Sequence, residues 1–191
     1  WGTIPLNNSE NQLLGGNYNG LNLYQNKNNH WQFQSKISNM LDESCRIMAQ
    51  DNAGNVWVAH PYRGVYRIKL NLEEKRVDYI KLYNSKNGFP SDYINVFRIE
   101  DGVIFAAERG IYEYNQEKDA FEISEKWSKV IDSNSFVQRM IEDKMGNIWF
   151  VIDGEVGVFW VKDYGVDEKL EKQVFPQLNG KLVSGFENIY P

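Results

Sequence analysis

The stretch Asp51-Asn52-Ala53-Gly54-Asn55-Val56-Trp57-Val58-Ala59-His60-Pro61-Tyr62-Arg63-Gly64-Val65-Tyr66-Arg67-Ile68-Lys69-Leu70 decides the fold of this chain. It reads as turn, strand, turn, strand. Residues 51–54 tolerate tight or left-handed backbone geometry. Asn55 to Ala59 is an apolar burst of strand length, and His60 to Gly64 breaks it. Val65 to Leu70 then alternates with the period of a half-buried strand. The stretch recurs. Asp143-Lys144-Met145-Gly146-Asn147-Ile148-Trp149-Phe150 repeats Asp51 to Val58 at Asp, Gly, Asn and Trp. A degenerate copy, Glu100-Asp101-Gly102-Val103-Ile104-Phe105, precedes Gly110-Ile111-Tyr112-Glu113-Tyr114. A fourth is Leu13-Leu14-Gly15-Gly16, followed by Gly20-Leu21-Asn22-Leu23-Tyr24. With Leu13, Trp57, Phe105 and Trp149 as anchors, the copies are separated by 44, 48 and 44 residues. A period in the forties, with several short strands per unit, marks a β-propeller. One blade cannot bury both of its faces, so blades stack and cover one another.

Taken in order, the strands group into blades at roughly residues 1–36, 44–82, 93–123 and 136–175. Residues 182–190 repeat the inner strand of a fifth. The fold expected is therefore all-β, a propeller segment of about four four-stranded antiparallel blades plus that extra strand, cut from a larger propeller. Trp57, Phe105 and Trp149 are expected at equivalent buried sites on second strands. Glu125 to Lys129 reads as a short helical turn. Lys162 to Lys172, rich in charge, reads as a mobile excursion.

Composition agrees with a stack of sheets and narrows the chemistry. The chain has 191 residues, enough for a substantial core, and is 42% hydrophobic and 14% aromatic. Its formal net charge of −5 argues against nucleic acid as a partner. The single Cys45 cannot form an internal disulfide, and its setting at a strand start reads as a buried inert thiol. No apolar run approaches the roughly 18 residues needed to span a bilayer. With neither an initiator Met nor a signal peptide, the chain reads as a mature form or an excised piece.

The pattern Asp-x-x-Gly-Asn-x-Trp-x followed by Gly64-Val65-Tyr66-Arg67 resembles the two-component regulator propeller repeat. A second mark is Tyr83-Asn84-Ser85-Lys86-Asn87-Gly88-Phe89-Pro90-Ser91-Asp92-Tyr93-Ile94-Asn95. It is similar to that family's connection between blades, with Phe89 in place of the usual Leu. The resemblance covers essentially the whole chain, although the first and third units lack the Trp. It implies a periplasmic sensor region of a membrane-anchored hybrid two-component or one-component regulator of gut Bacteroidetes. It further implies detection of a glycan-derived oligosaccharide, with a kinase or DNA-binding output lying elsewhere.

No Ser/His/Asp, Cys/His or metal-ligand spacing stands out, and the only histidines are His30 and His60. The expectation is no catalytic residue, no metal and no cofactor. The Asp-x-x-Gly-Asn-x-Trp unit differs from the Asp-box of sialidases by one extra residue between Asp and Gly, and reads as a structural turn. Propellers usually bind ligands at the loops joining second to third strands and at those joining blades. Here the former offer Tyr18, then His60, Tyr62 and Arg63, then Glu108 and Arg109, then Asp153 and Glu155. Aromatic, charged and amide groups together suit sugars, through stacking and hydrogen bonds. Two alternatives stand beside a sensor: a structural propeller that supports dimerisation, and a carbohydrate-active propeller enzyme. The partners expected are the remaining blades of a parent protein, an oligosaccharide and a second copy in a homodimer.

Overall fold

A computed structural model describes residues 2–7, 9–40, 42–100, 102–163, 168–178 and 180–181. Among the described residues sixteen strands form four sheets of four, each a meander in which consecutive strands pair antiparallel. Blade one comprises β1 (Thr3–Leu6), β2 (Ser9–Asn17), β3 (Gly20–Lys27) and β4 (His30–Lys36). Blade two comprises β5 (Ile47–Gln50), β6 (Val56–His60), β7 (Gly64–Asn71) and β8 (Arg76–Tyr83). Blade three follows as β9 (Ile94–Ile99), β10 (Gly102–Ala107), β11 (Ile111–Asn115) and β12 (Ala120–Ile123). Blade four has β13 (Val137–Glu142), β14 (Ile148–Ile152), β15 (Glu155–Asp163) and β16 (Glu168–Val174). The fold is all-β and built of propeller blades. The expected fifth-blade strand at 182–190 lies outside the described residues, as does Asp101 of the third repeat.

The chain divides after Val96 into two compact units, with the boundary inside β9. In the first, Leu14, Leu21 and Leu23 of blade one pack against Met48, Val56, Val58, Tyr66 and Ile68 of blade two. In the second, Ile104, Ala106 and Ile111 of blade three pack against Met140, Ile148, Phe150 and Phe159 of blade four. Each unit thus buries one pair of blade faces. A tether repeats at both junctions. The last inner-strand residue of the later blade accepts a backbone N–H from the turn of the earlier one. Gln50 Oε1 takes the Asn7 N–H at 2.7 Å, and Glu142 Oε2 takes the Glu100 N–H.

The repeated motif is a turn built around one carboxylate. Asp51 Oδ1 accepts the Asn55 backbone N–H at 2.8 Å, and Oδ2 accepts the Trp57 indole N–H at 2.8 Å and the Asn55 side-chain amide at 2.9 Å. Asp143 repeats the set with Asn147 (3.0 Å) and the Trp149 indole (3.1 Å). Burial opposes ionisation of Asp143, but bonds from Trp149, Asn147 and the Met145 and Asn147 amides hold it below the usual carboxylate range.

Two expectations are corrected. Leu13, Trp57, Phe105 and Trp149 do all lie on second strands, but the copies do not share one face. Trp57 points away from blade one and Trp149 away from blade three, because Val56, Val58, Ile148 and Phe150 fill those junctions. In blades one and three, the corresponding face is carried by Leu14 and Ile104, so Leu13 and Phe105 point the opposite way. The cause is what joins the first two strands of each blade. Blades two and four use a five-residue turn between Gln50 and Val56 or Glu142 and Ile148, whereas in blade one the register shifts between Pro5↔Leu13 and Leu6↔Ser9, and in blade three β10 begins at Gly102 soon after β9 ends at Ile99. Equating Leu13 and Phe105 with the two tryptophans therefore slips the strand by one residue, and one residue flips every side chain. Trp149 is also only half-buried. The second correction is the charged excursion. β15 and β16 pair in unbroken register from Gly157↔Val174 to Asp163↔Glu168, so most of it is a long hairpin. The short helical turn appears as one turn of 3-10 helix at Trp127–Lys129, with Trp127 buried.

Candidate functional site

In a four-strand meander, the turn between strands two and three and the connection to the next blade fall at the same end of the sheet. In the first unit that end gathers three segments. The β2–β3 turn carries Tyr18, which is 76% exposed, and Asn19, whose N–H is bonded to Asn17 Oδ1 at 2.8 Å. The connection from blade one to blade two is fastened to this turn by the Cys45 N–H, which donates to the Asn17 carbonyl at 2.9 Å. Two residues earlier, Glu43 reaches the β6–β7 turn.

Glu43 is the centre of the polar cluster. Its Oε2 lies 3.4 Å from His60 Nε2, and its Oε1 pairs with the Arg63 guanidinium. Glu43 is only 16% exposed in this setting, whereas Arg63 remains 58% exposed. The Tyr62 backbone N–H donates to His60 Nδ1 at 3.3 Å, and the Tyr62 side chain is 81% exposed. Tyr66, buried beneath, hydrogen-bonds Arg63; burial, with Glu43 adding to it, pushes its hydroxyl pKa up. Burial also lowers the His60 pKa, against the pull of Glu43 and assisted by the Arg63 charge. Cys45 is buried, and burial followed by the Glu43 charge pushes its thiol up to about 12, so no thiolate nucleophile exists there at neutral pH.

The far end of blade two's outer strand closes the same edge. The Asn84–Tyr93 connection is tied by Asn87 Oδ1 to the Asn84 N–H, and by Asp92 to the Ser85 N–H and hydroxyl. Those Ser85 bonds hold the Asp92 carboxyl below its usual range. Gly64 opens β7 with φ of 108°, and a Cβ there would lie 2.1 Å from the Tyr83 carbonyl oxygen. Only glycine allows the two backbones to approach so closely.

The second unit holds the other predicted residues, in two smaller turns. Glu108 and Arg109 are exposed at the tip of β10–β11, which is closed by the Ala107 N–H to the Gly110 carbonyl at 3.1 Å. Asp153 and Gly154, both at positive φ, form the two-residue turn of β14–β15, with Glu155 exposed beside it. Asp153 has structural work: its Oδ1 accepts the Phe136 N–H at 2.8 Å, while its own N–H returns to the Phe136 carbonyl. His60, Tyr62 and Arg63 are thus brought together, Tyr18 is fastened to the same connection, and Glu108, Arg109, Asp153 and Glu155 belong to separate turns. Sequence reasoning missed Glu43. Its signal was topological, since it lies in a blade connection, which must share an end with the β6–β7 turn. Among the described residues no cluster of His, Cys, Asp and Glu is arranged to hold a metal ion.

No protein-family model and no curated protein matches the chain. Solved structures do. The chain is similar to the extracellular domain of a putative one-component system of Bacteroides thetaiotaomicron, at a TM-score of 0.55 and 18% identity over 83% of its length. A second structure of that domain, described as a hybrid two-component system, matches at 0.54 and 17% over 84%. A different putative hybrid two-component system of the same organism matches at 0.53 and 11% over 90%. The chain spans about a fifth of those chains, 20%, 20% and 21%. It is a run of β-propeller blades with the fold found in the extracellular domains of these Bacteroides regulatory systems.

Proposed function

We propose that these blades are a non-enzymatic sensing segment of a membrane-anchored regulator, held outside the cytoplasm and exposed to a glycan-derived oligosaccharide. The observation that carries this reading is the cluster at one end of the first unit. There Glu43 braces His60 and Arg63, leaving Tyr62 and much of Arg63 free to meet a ligand. A tyrosine platform beside a guanidinium suits stacking on a sugar ring with hydrogen bonds to its hydroxyls. The likeness to extracellular domains of regulators supports the placement, and the structural duties of Asp51 and Asp143 speak for a sensor over a hydrolase.

Thermal-shift measurement of the chain against a panel of oligosaccharides tests this reading, because a ligand that binds only the folded form raises apparent stability. Replacing Tyr62 and Arg63 together by Ala is expected to abolish the sugar-induced shift while leaving the unliganded transition within a few degrees. An unchanged response in that double variant places the contact elsewhere. The homodimer expected from the sequence is proposed on one specific observation. Trp31 and Phe33, both exposed on outer strand β4, lie with Tyr24 on the blade-one face turned away from blade two. Light scattering decides it, and a monodisperse monomer removes the second copy as the partner.

A further inference from the structure

We propose that His60 is a proton-operated latch on the β6–β7 turn: the neutral imidazole holds the Tyr62 N–H with Nδ1 and Glu43 with Nε2–H, and protonation at Nδ1 releases residues 61–63. The inference goes beyond ligand recognition and stands whether or not the turn binds a sugar.

The geometry assigns the tautomer. A backbone N–H can only donate, so the Tyr62 amide pointing at Nδ1 at 3.3 Å requires an unprotonated nitrogen there. In a neutral imidazole the proton then sits on Nε2, which faces the Glu43 carboxylate at 3.4 Å. An imidazolium carries N–H on both nitrogens. Two donors would then confront each other at Nδ1, and the Tyr62 amide has to leave. The turn is short enough for this to matter, since only Pro61, Tyr62 and Arg63 separate His60 from Gly64. Pro61 supplies no N–H of its own, so the Tyr62 amide carries the turn's bond to the imidazole.

The groups facing His60 come from three segments. Glu43 on the blade connection favours the charged ring, whereas Arg63 on the turn and burial of the ring oppose it. Tyr66 of β7 and Cys45 ahead of β5 are neutral near pH 7, both pushed upward chiefly by burial. Opposition prevails, so the folded pKa lies below the ordinary 6.5. The sign follows. As pH falls below 6.5, the unfolded chain takes the proton before the folded one, so stability declines across the window between the two values. Within the folded state, the same proton unlatches Tyr62 and loosens the Arg63 pairing with Glu43. Both side chains that the turn presents to solvent would move together.

Imidazole and amide nitrogen NMR on the 191-residue chain, titrated from neutral to acid, tests the latch without any ligand. His30 signals are identified with His30→Gln. At neutral pH His60 is expected as the Nε2–H tautomer, and its midpoint is expected below that of the same residue in the urea-unfolded chain. The Tyr62 amide should shift with that midpoint, and its protection from exchange should fall about tenfold, the worth of one ordinary hydrogen bond. His60→Gln keeps an acceptor that does not titrate, so the Tyr62 transition should vanish in that variant. An Nδ1–H tautomer, a Tyr62 amide indifferent to the His60 midpoint, or a Tyr62 transition surviving in His60→Gln would each overturn the proposal.

Discussion

Blades two and four close their first hairpins with the same turn and the same hydrogen bonds, yet they treat the indole differently. Trp57 is 0% exposed, with Tyr83 at 5.9 Å and the Arg67 guanidinium 5.8 Å over its ring. Trp149 meets Phe175 at 5.9 Å in a stack and Trp160 edge-on at 6.0 Å, and stays half-buried. The motif is therefore a solution to a local problem. One carboxylate satisfies a backbone N–H, a side-chain amide and an indole N–H of a wide turn. How much apolar surface the indole then buries is set by the neighbours it finds.

The largest effect should separate the two tryptophans. Trp57→Ala is expected to cost about 3–5 kcal/mol, the range for a fully buried large aromatic. Trp149→Ala is expected to cost about 2 kcal/mol, since a partly exposed ring has less buried surface to lose. Chemical denaturation measures both, and equal losses would mean that the indole matters mainly through its N–H. Next come the carboxylates, where the blades should agree. Asp51→Ala and Asp143→Ala each orphan a matching set of donors, and a loss of about 2 kcal/mol is expected for each. A large disparity there would break the view that the turn is self-contained.

Smaller still is the turn glycine. Gly54 and Gly146 sit at φ of 81° and 82°, and a Cβ on Gly54 would meet nothing within 4 Å. Gly54→Ala and Gly146→Ala should each cost about 1–2 kcal/mol, the left-handed backbone strain alone. A difference between them would reveal packing that the turn geometry hides. The finest test is acid titration of Asp143. Its folded pKa is depressed, so its contribution is complete above the ordinary value of 3.8 and is lost as pH falls through the folded value. Asp143→Asn should flatten that part of the stability profile, seen by denaturant melts at a series of acid pH values.

The one-residue slip at Leu13 and Phe105 shows where legibility stopped. Strand existence was readable from period-two alternation, and the turns from Asp, Asn and Gly, because those signals act within a few residues. The facing of a strand depends on how many residues its turn and any bulge consume, and nothing local reveals that count: Gly102 reads like Gly54, and the register shift beyond Pro5 leaves no mark of its own. The length of the β15–β16 hairpin was missed for a related reason. Its residues are charged because one strand is an outer edge, and charge on an edge strand resembles charge in a loop. In the candidate site, His60, Tyr62 and Arg63 were legible as a loop rich in aromatic and charged groups. Glu43 was not, because nothing local marks an acidic residue in a connection as the partner of a turn some twenty positions on.

By itself the sequence determined the class of fold, the number of complete blades, and the self-contained turn around Asp51 and Asp143. Each rests on short-range periodicity or on hydrogen bonds spanning four to six residues. Only the tertiary structure decided which face of each strand enters a blade junction, how deeply each indole is buried, and that Glu43 holds both His60 and Arg63. Those outcomes depend on groups brought together from distant positions, where turn length, blade packing and desolvation act jointly.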